Sequence, residues 1–265
     1  MKYRIPLILL AVFLTISGLS GQKWKLRRYE AVFGIGSANY FGDIGGSPTE
    51  SNWFGIKDIQ LFQTRPSFYI GARYKFRHNL AVKANFTFGF LSGTDKGTYH
   101  QTGPNDRNWA FTSKIIEPSA QVEYSILSEE YRYRSTALFN RKGMLNNYSK
   151  INVYLFGGIG AVKCWATPNE ELENSLVYET EYPSVGLVFP LGVGLKYVMS
   201  SRWSVGAEFG GRFTTIDYLD AYGNPLFSKH NDIYYFGVIH AIYRIKTSRR
   251  GYPIIFDNRR RTFIL

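Results

Sequence analysis

Two neighbouring segments alternate strictly between apolar and polar positions. Val185, Leu187, Phe189, Leu191, Val193, Leu195, Tyr197 and Met199 interleave with Gly186, Val188, Pro190, Gly192, Gly194, Lys196 and Val198. A period of two with an unbroken apolar row on one side is a β-strand with one face in an apolar medium. In the next segment Trp203, Val205, Ala207, Phe209, Gly211 and Phe213 share one face, and Ser204, Gly206, Glu208, Gly210, Arg212 and Thr214 share the other. A soluble sheet buries residues such as Glu208 and Arg212 only against paired partners, whereas a barrel in lipid turns them toward a polar lumen. The pattern predicts a transmembrane β-barrel.

The same reading along the chain gives eight strands, at residues 29–40, 66–76, 80–90, 114–127, 151–162, 184–199, 203–214 and 232–245. The predicted fold is all-β: an eight-stranded antiparallel up-and-down barrel. An even strand count puts both ends of the barrel on one side. The connections at 77–79 and 200–202 are tight, while those at 41–65, 91–113, 163–183 and 215–231 are long. Short turns facing the periplasm and long loops facing outward are the usual asymmetry of such barrels, so both termini are expected in the periplasm. One connection departs from it. Residues 128–150 fall on the short-turn side, yet they are long and carry Arg132, Arg134, Arg141, Lys142 and Lys150 against Glu129 and Glu130.

Strand parity assigns a lumen face containing Glu30, Arg73, Lys75, Lys83, Glu117, Glu123, Lys196, Glu208, Arg212, His240 and Arg244. Eight strands leave room for side chains and none for a broad channel. Charges of both signs are therefore expected to fill the interior as a network, in which Arg73, Lys83, Lys196, Glu208 and Arg212 take part, with Arg212 or Lys196 partnering Glu208. The lipid face is expected to carry Phe68, Ile70, Ala72, Tyr74 and Phe76, then Val82, Ala84, Phe86, Phe88 and Phe90.

Composition agrees with a membrane barrel: 17% of residues are aromatic and 26 are glycine. At the start, Lys2 and Arg4 precede an apolar run over 5–16, with Gly18 and Ser20 at small-x-small spacing. That run is too short to span a bilayer as a helix, so residues 1–20 are expected to be a signal peptide and 21–265 a single barrel domain. The surroundings lack the cysteine that a lipoprotein needs. From about residue 247 a basic tail is expected on the periplasmic side, where Arg249, Arg250, Arg259, Arg260 and Arg261 face one acid, Asp257. An exported barrel meets no nucleic acid, so an acidic protein, anionic headgroups or simple solvation remain for this tail and for the net charge of +12.

Chemistry-bearing residues are sparse. The single cysteine, Cys164, has no disulfide partner and reads as a small side chain at a strand end. His240 sits on the face of Ser204 and Glu208, but local spacing picks out no set of nucleophile, base and orienting group, so no enzyme is expected. Asp217 and Asp220 lie in one loop as weak calcium ligands, and Gly42, Asp43, Gly45 and Gly46 read as a turn. Neither a metal nor a cofactor is expected.

Several segments resemble the PorG-like barrels of Bacteroidota: 39–46 (Asn-Tyr-Phe-Gly-Asp-Ile-Gly-Gly), Arg65-Pro66, 154–160 (Tyr-Leu-Phe-Gly-Gly-Ile-Gly) and 190–197 (Pro-Leu-Gly-Val-Gly-Leu-Lys-Tyr). The same holds for Trp203, Gly206, Glu208, Gly210 and Arg212 and for the run from Thr215 to Asp220. The resemblance implies an outer-membrane component of the type IX secretion machinery, which anchors or organises a periplasmic ring built by a lipoprotein and its partner. Asn140 matches the family's aromatic-Asn pair; with Arg132, Arg134, Arg141 and Lys142 it lies in the 128–150 connection, which is expected to bind the periplasmic partner because it is the only long connection on the short-turn side. The tail extends past the point where family members often end. A generic outer-membrane barrel acting as an adhesin or envelope stabiliser is the alternative, and a lipid-modifying enzyme is a third.

Overall fold

The computed structural model describes residues 27–42, 44, 63–95, 108–129, 150–175, 183–222, 231–248 and 252–254. Eight strands, β1 (Tyr29–Phe41), β2 (Arg65–Lys75), β3 (Leu80–Thr94), β4 (Ala110–Leu127), β5 (Ile151–Pro168), β6 (Val185–Val198), β7 (Trp203–Thr214) and β8 (Ile233–Ile245), pair in sequence order. The barrel is closed by β1 on β8, from Tyr29 opposite Ile245 to Phe41 opposite Ile233. Every neighbour is antiparallel. One four-residue helical turn, α1 (Glu170–Glu173), follows β5 and is capped by the Asn169 side chain, which accepts from the Leu172 amide. No helix among the described residues is long and apolar enough to cross a membrane.

Alternation survives in three dimensions. Phe68, Ile70, Phe86, Val122, Leu155, Leu191 and Phe209 stand outward and exposed, while Arg73, Lys83, Glu123, Lys196 and Glu208 are buried. An apolar exterior around a charged interior inverts a soluble protein and fits a barrel whose solvent is lipid. At the end of the short turns, Tyr29, Tyr74, Trp203 and Tyr243 form an outward belt, with ring centroids 4.9 Å apart in the Tyr29–Tyr74 and Trp203–Tyr243 pairs. Amphipathic rings at this level match an interfacial aromatic girdle.

Three strands outrun the expected limits. β3 continues to Thr94, β4 begins at Ala110, and β5 continues to Pro168, so Cys164 lies inside a strand and not at its end. In these extensions inward residues no longer meet charged partners. Leu91, Phe111, Ile115, Val162 and Cys164 join Val188, Ile216, Leu219, Tyr234 and Phe236 in an apolar plug at the loop end. Conversely β2 stops at Lys75, and Phe76 begins the turn.

Tyr154 and Phe156 lie flat across the lumen wall because glycines stand beneath them. An added Cβ at Gly192 meets Phe209 O at 2.3 Å and Phe156 Cζ at 2.6 Å, and one at Gly194 meets the Tyr154 ring at 2.3 Å. On the lipid side, a Cβ at Gly157 meets only Leu191 Cδ1, at 3.5 Å, and Pro190 O, at 4.0 Å. Gly192→Ala is expected to cost about 1–3 kcal/mol in urea unfolding from detergent micelles, and Gly157→Ala to leave the midpoint nearly unchanged. Equal effects at the two positions would mean that ring seating is not what the glycine provides.

Candidate functional site

The lumen is organised in tiers. Nearest the short turns, Arg73 is a hub. Its Nη1 lies 3.1 Å from Glu30 Oε2, its Nε 2.7 Å from Glu123 Oε2 and its Nη2 3.5 Å from Glu208 Oε1. Lys83 pairs with Glu208 and, at 2.9 Å, with Glu123. Lys196 bridges Glu30 and Glu129, both at 2.8 Å, and Lys75 contacts the same two carboxylates. Tyr154 donates to Glu208 Oε1 at 2.6 Å while its oxygen accepts from Arg73. All these groups are buried. With Arg244, which approaches Glu30 from β8, the described residues at this end place five cations among the carboxylates of Glu30, Glu123, Glu129 and Glu208.

The predicted members are therefore divided. Arg73, Lys83 and Glu208 share one cluster that Lys196 joins through Glu30, but Arg212 does not pair with Glu208. Its Nε lies 3.3 Å from Glu117 Oε1, and Tyr234 donates to Glu117 Oε2 at 2.8 Å. Arg212 stands one tier nearer the loop end, with its guanidinium over Phe236 at 5.1 Å and Phe156 at 5.8 Å. The partners expected for Glu208, Arg212 or Lys196, are replaced by Lys83 and Arg73, which reach it across the lumen from β3 and β2.

Glu129, counted among the acids of the 128–150 connection, turns back into the barrel. It accepts from Lys75, Lys196 and Asn152. Burial alone would raise its carboxyl, but the Lys196 and Lys75 ammonium groups overcome burial and hold it well below the usual range. Arg132, Arg134, Asn140, Arg141 and Lys142 lie outside the described residues, as do residues 1–20 and most of the basic tail.

At the opposite end residues 215–222, the described start of the β7–β8 connection, pack into the plug through Ile216, Leu219 and Tyr222. Ala221 adopts a left-handed conformation, φ 62°, which turns the chain there. Tyr40 Oη lies 2.8 Å from Asp220 Oδ2 and 2.6 Å from Asp232 Oδ1. A phenol has one proton to give, so both contacts are hydrogen bonds only when one carboxyl is protonated and donates to Tyr40. Of the two, Asp232 is the one whose carboxyl burial and then the Asp220 charge push well above the ordinary range. The Leu219 and Tyr222 amides donate to Asp232 and Asp220 at 2.8 and 2.9 Å. No group of three or more His, Cys, Asp or Glu among the described residues could hold a metal. Ser204 Oγ accepts from Arg244, and neither ring nitrogen of His240 has a hydrogen bond, so these two are not paired as nucleophile and base.

No protein-family model and no curated protein sequence matches this chain. Its structure is similar to Neisserial surface protein A, at 9% identity over 82% of this chain and 96% of that one, with a TM-score of 0.44. It is also similar to the outer membrane protein OprG from Pseudomonas aeruginosa, at 10% identity over 83% and 97% with a TM-score of 0.43. A major outer membrane protein from Thermus thermophilus is 13% identical over 82% and 99%, with a TM-score of 0.41. At these values the fold rests on the strand ladders themselves.

The grouping has an energetic signature. Glu208→Ala is expected to cost about 3 kcal/mol, because Lys83 and Arg73 stay buried with one carboxylate fewer. Combined with Arg212→Ala, the losses should add within about 0.5 kcal/mol, whereas Glu208→Ala with Lys83→Ala should be strongly non-additive. Urea unfolding of the four-variant cycles checks this, and coupling between positions 208 and 212 would overturn the division into tiers.

Asp232 gives an opposite pH dependence to an ordinary carboxylate. Its folded pKa lies above the unfolded value of about 3.9, so its stabilisation is complete below that value and is lost as pH rises through the folded pKa. Asp232→Asn keeps a donor for Tyr40 and an acceptor for the Leu219 amide without the ionisation. The wild-type thermal midpoint should fall relative to the variant as pH is raised, and parallel curves would show that Asp232 is ionised in the folded barrel.

Proposed function

We propose that this chain is a non-enzymatic outer-membrane barrel that conducts nothing and works through the segments it holds outside the membrane. The filled lumen carries this reading: among the described residues a buried charge network occupies one end and an apolar plug under the Tyr40–Asp220–Asp232 contact occupies the other. The short β2–β3 and β6–β7 turns share an end with the outer limits of β1 and β8. By the usual asymmetry of such barrels that end faces the periplasm, and the 128–150 connection with it. Four long connections then face outward, which suits an adhesin or an envelope stabiliser.

A second reading is favoured by charge. With Glu129 turned into the lumen, the connection beyond it keeps Glu130 as its only acid against Arg132, Arg134, Arg141, Lys142 and Lys150. Such a segment is longer than barrel closure needs and presents a basic surface to an acidic partner, with charge setting encounter rate and salt sensitivity more than affinity. Together with the resemblance to PorG-like barrels, this supports anchoring of a periplasmic ring, through its lipoprotein and partner, in a type IX secretion machinery.

One experiment with two readouts separates the readings. The purified protein in planar bilayers is expected to give no stable porin-sized steps, and such steps would overturn the closed-barrel proposal. Replacing residues 132–142 by a tight turn should leave a heat-modifiable barrel that no longer copurifies with ring proteins or supports export. Retention of both by the shortened protein would return the function to the outward loops.

A further inference from the structure

The outward faces of the strands are uncharged except at one place. Among the described strand residues that point away from the lumen, Lys114 on β4 and Lys163 on β5 are the only charged side chains. They are also neighbours. Lys114 stands opposite Trp165 and Lys163 opposite Ile116, which places the two lysines diagonally on one face, about 7–8 Å apart at the backbone. Both are exposed, and no side-chain hydrogen bond or ion pair among the described residues holds either ammonium. Outward-facing acids are absent among the described strand residues, so this surface offers them no counter-charge.

Their height on the barrel is informative. On β4, Lys114 and Tyr124 bracket the outward residues Ile116, Pro118, Ala120 and Val122. At about 3.3 Å per residue and a tilt of about 40°, that stretch rises about 25 Å, the height of the apolar band of such barrels. Tyr124 therefore marks the boundary at the short turns, and the lysines mark the opposite one. Trp165 lies beside them, its ring centred 5.0 Å from Lys163 Nζ, and the outward residues Thr112 and Thr167 face each other just above. Two cations, two hydroxyl-bearing side chains and an interfacial indole thus meet at headgroup level.

We propose that Lys114 and Lys163 bind the phosphate of a phosphorylated membrane lipid in the leaflet on the side of the long connections. A phosphate between the two ammonium groups relieves their repulsion, accepts from both, and lets the lipid chains lie on Ile116, Ile159 and Phe88. The lipid-facing position selects a lipid over a soluble anion, because the acyl chains supply apolar burial that a free phosphate lacks. Only the identity of that leaflet as the outer one rests on the orientation proposed above; the site itself does not depend on the secretion reading.

The test is native mass spectrometry of the detergent-purified barrel titrated with diphosphoryl lipid A or with the same lipid after dephosphorylation. Wild type is expected to retain the diphosphoryl form about tenfold or more in preference. Lys114→Gln with Lys163→Gln should reduce retention to the dephosphorylated level, while Arg202→Gln in the exposed β6–β7 turn at the other end leaves it unchanged. Lys114→Arg with Lys163→Arg should keep binding, which separates charge from any change in packing, and heat-modifiability checks that each variant is folded. Millimolar inorganic phosphate should fail to displace the lipid; full displacement would make the site one for a free anion and overturn the proposal. Undiminished retention by the glutamine variant would show instead that the lysines merely extend to water.

Discussion

Lipid offers no hydrogen bond to an exposed strand edge, and that absence governs the rest of this molecule. β1 must pair with β8 as fully as with β2, and it does, over its entire length. Closing eight strands fixes a lumen only wide enough for side chains. Once the outward face is committed to apolar groups, every charge in the described strands but Lys114 and Lys163 has to be accommodated inside that narrow space or at its rims. The Arg73 hub is the consequence. It meets three carboxylates because a buried guanidinium left with fewer would cost several kcal/mol, and the ladder brings Glu30, Glu123 and Glu208 within its reach.

The two ends solve the problem of closure differently. At the short turns charge of both signs is packed together, with Glu129 drawn in from beyond the end of β4 to balance Lys75 and Lys196. At the loop end the space is filled by Leu91, Phe111, Ile115 and Leu219, with the contact of Tyr40 with Asp220 and Asp232 beside them. The ends therefore answer pH in opposite senses. Glu129, held below its ordinary range, loses its contribution as pH falls through its folded value, whereas Asp232, held above it, loses its contribution as pH rises.

Much of this is legible in the sequence because a strand has a period of two. Parity alone assigns Glu30, Arg73, Lys83, Lys196, Glu208 and Arg212 to the interior, where the structure has them buried. Partners are not legible, since parity fixes a side and not a height. Glu208 and Arg212 share a face of one strand, yet the reach of Lys83 and Arg73 across the lumen decides the pairing. The upper parts of β3, β4 and β5 escape the pattern where Ser92, Thr112 and Lys163 interrupt the outward apolar row; beyond the bilayer the ladder persists but the alternation that reveals it does not. Glu129 and Asp232 carry no local signal at all, because each acquires its setting from strands distant in sequence.

Glu129 also ties the lumen to the segment outside it. The 128–150 connection leaves the barrel at the residue that closes the Lys75–Glu129–Lys196 bridge. Any load on that connection, from a partner protein or from the membrane surface, therefore acts first on a buried carboxylate that cannot withdraw without taking a counter-charge from the Lys75 and Lys196 ammonium groups. That penalty makes Glu129, at the start of the connection, a fixed point. The ion pairs that fill this end of the lumen are thus the same contacts that fix the point from which the basic segment departs.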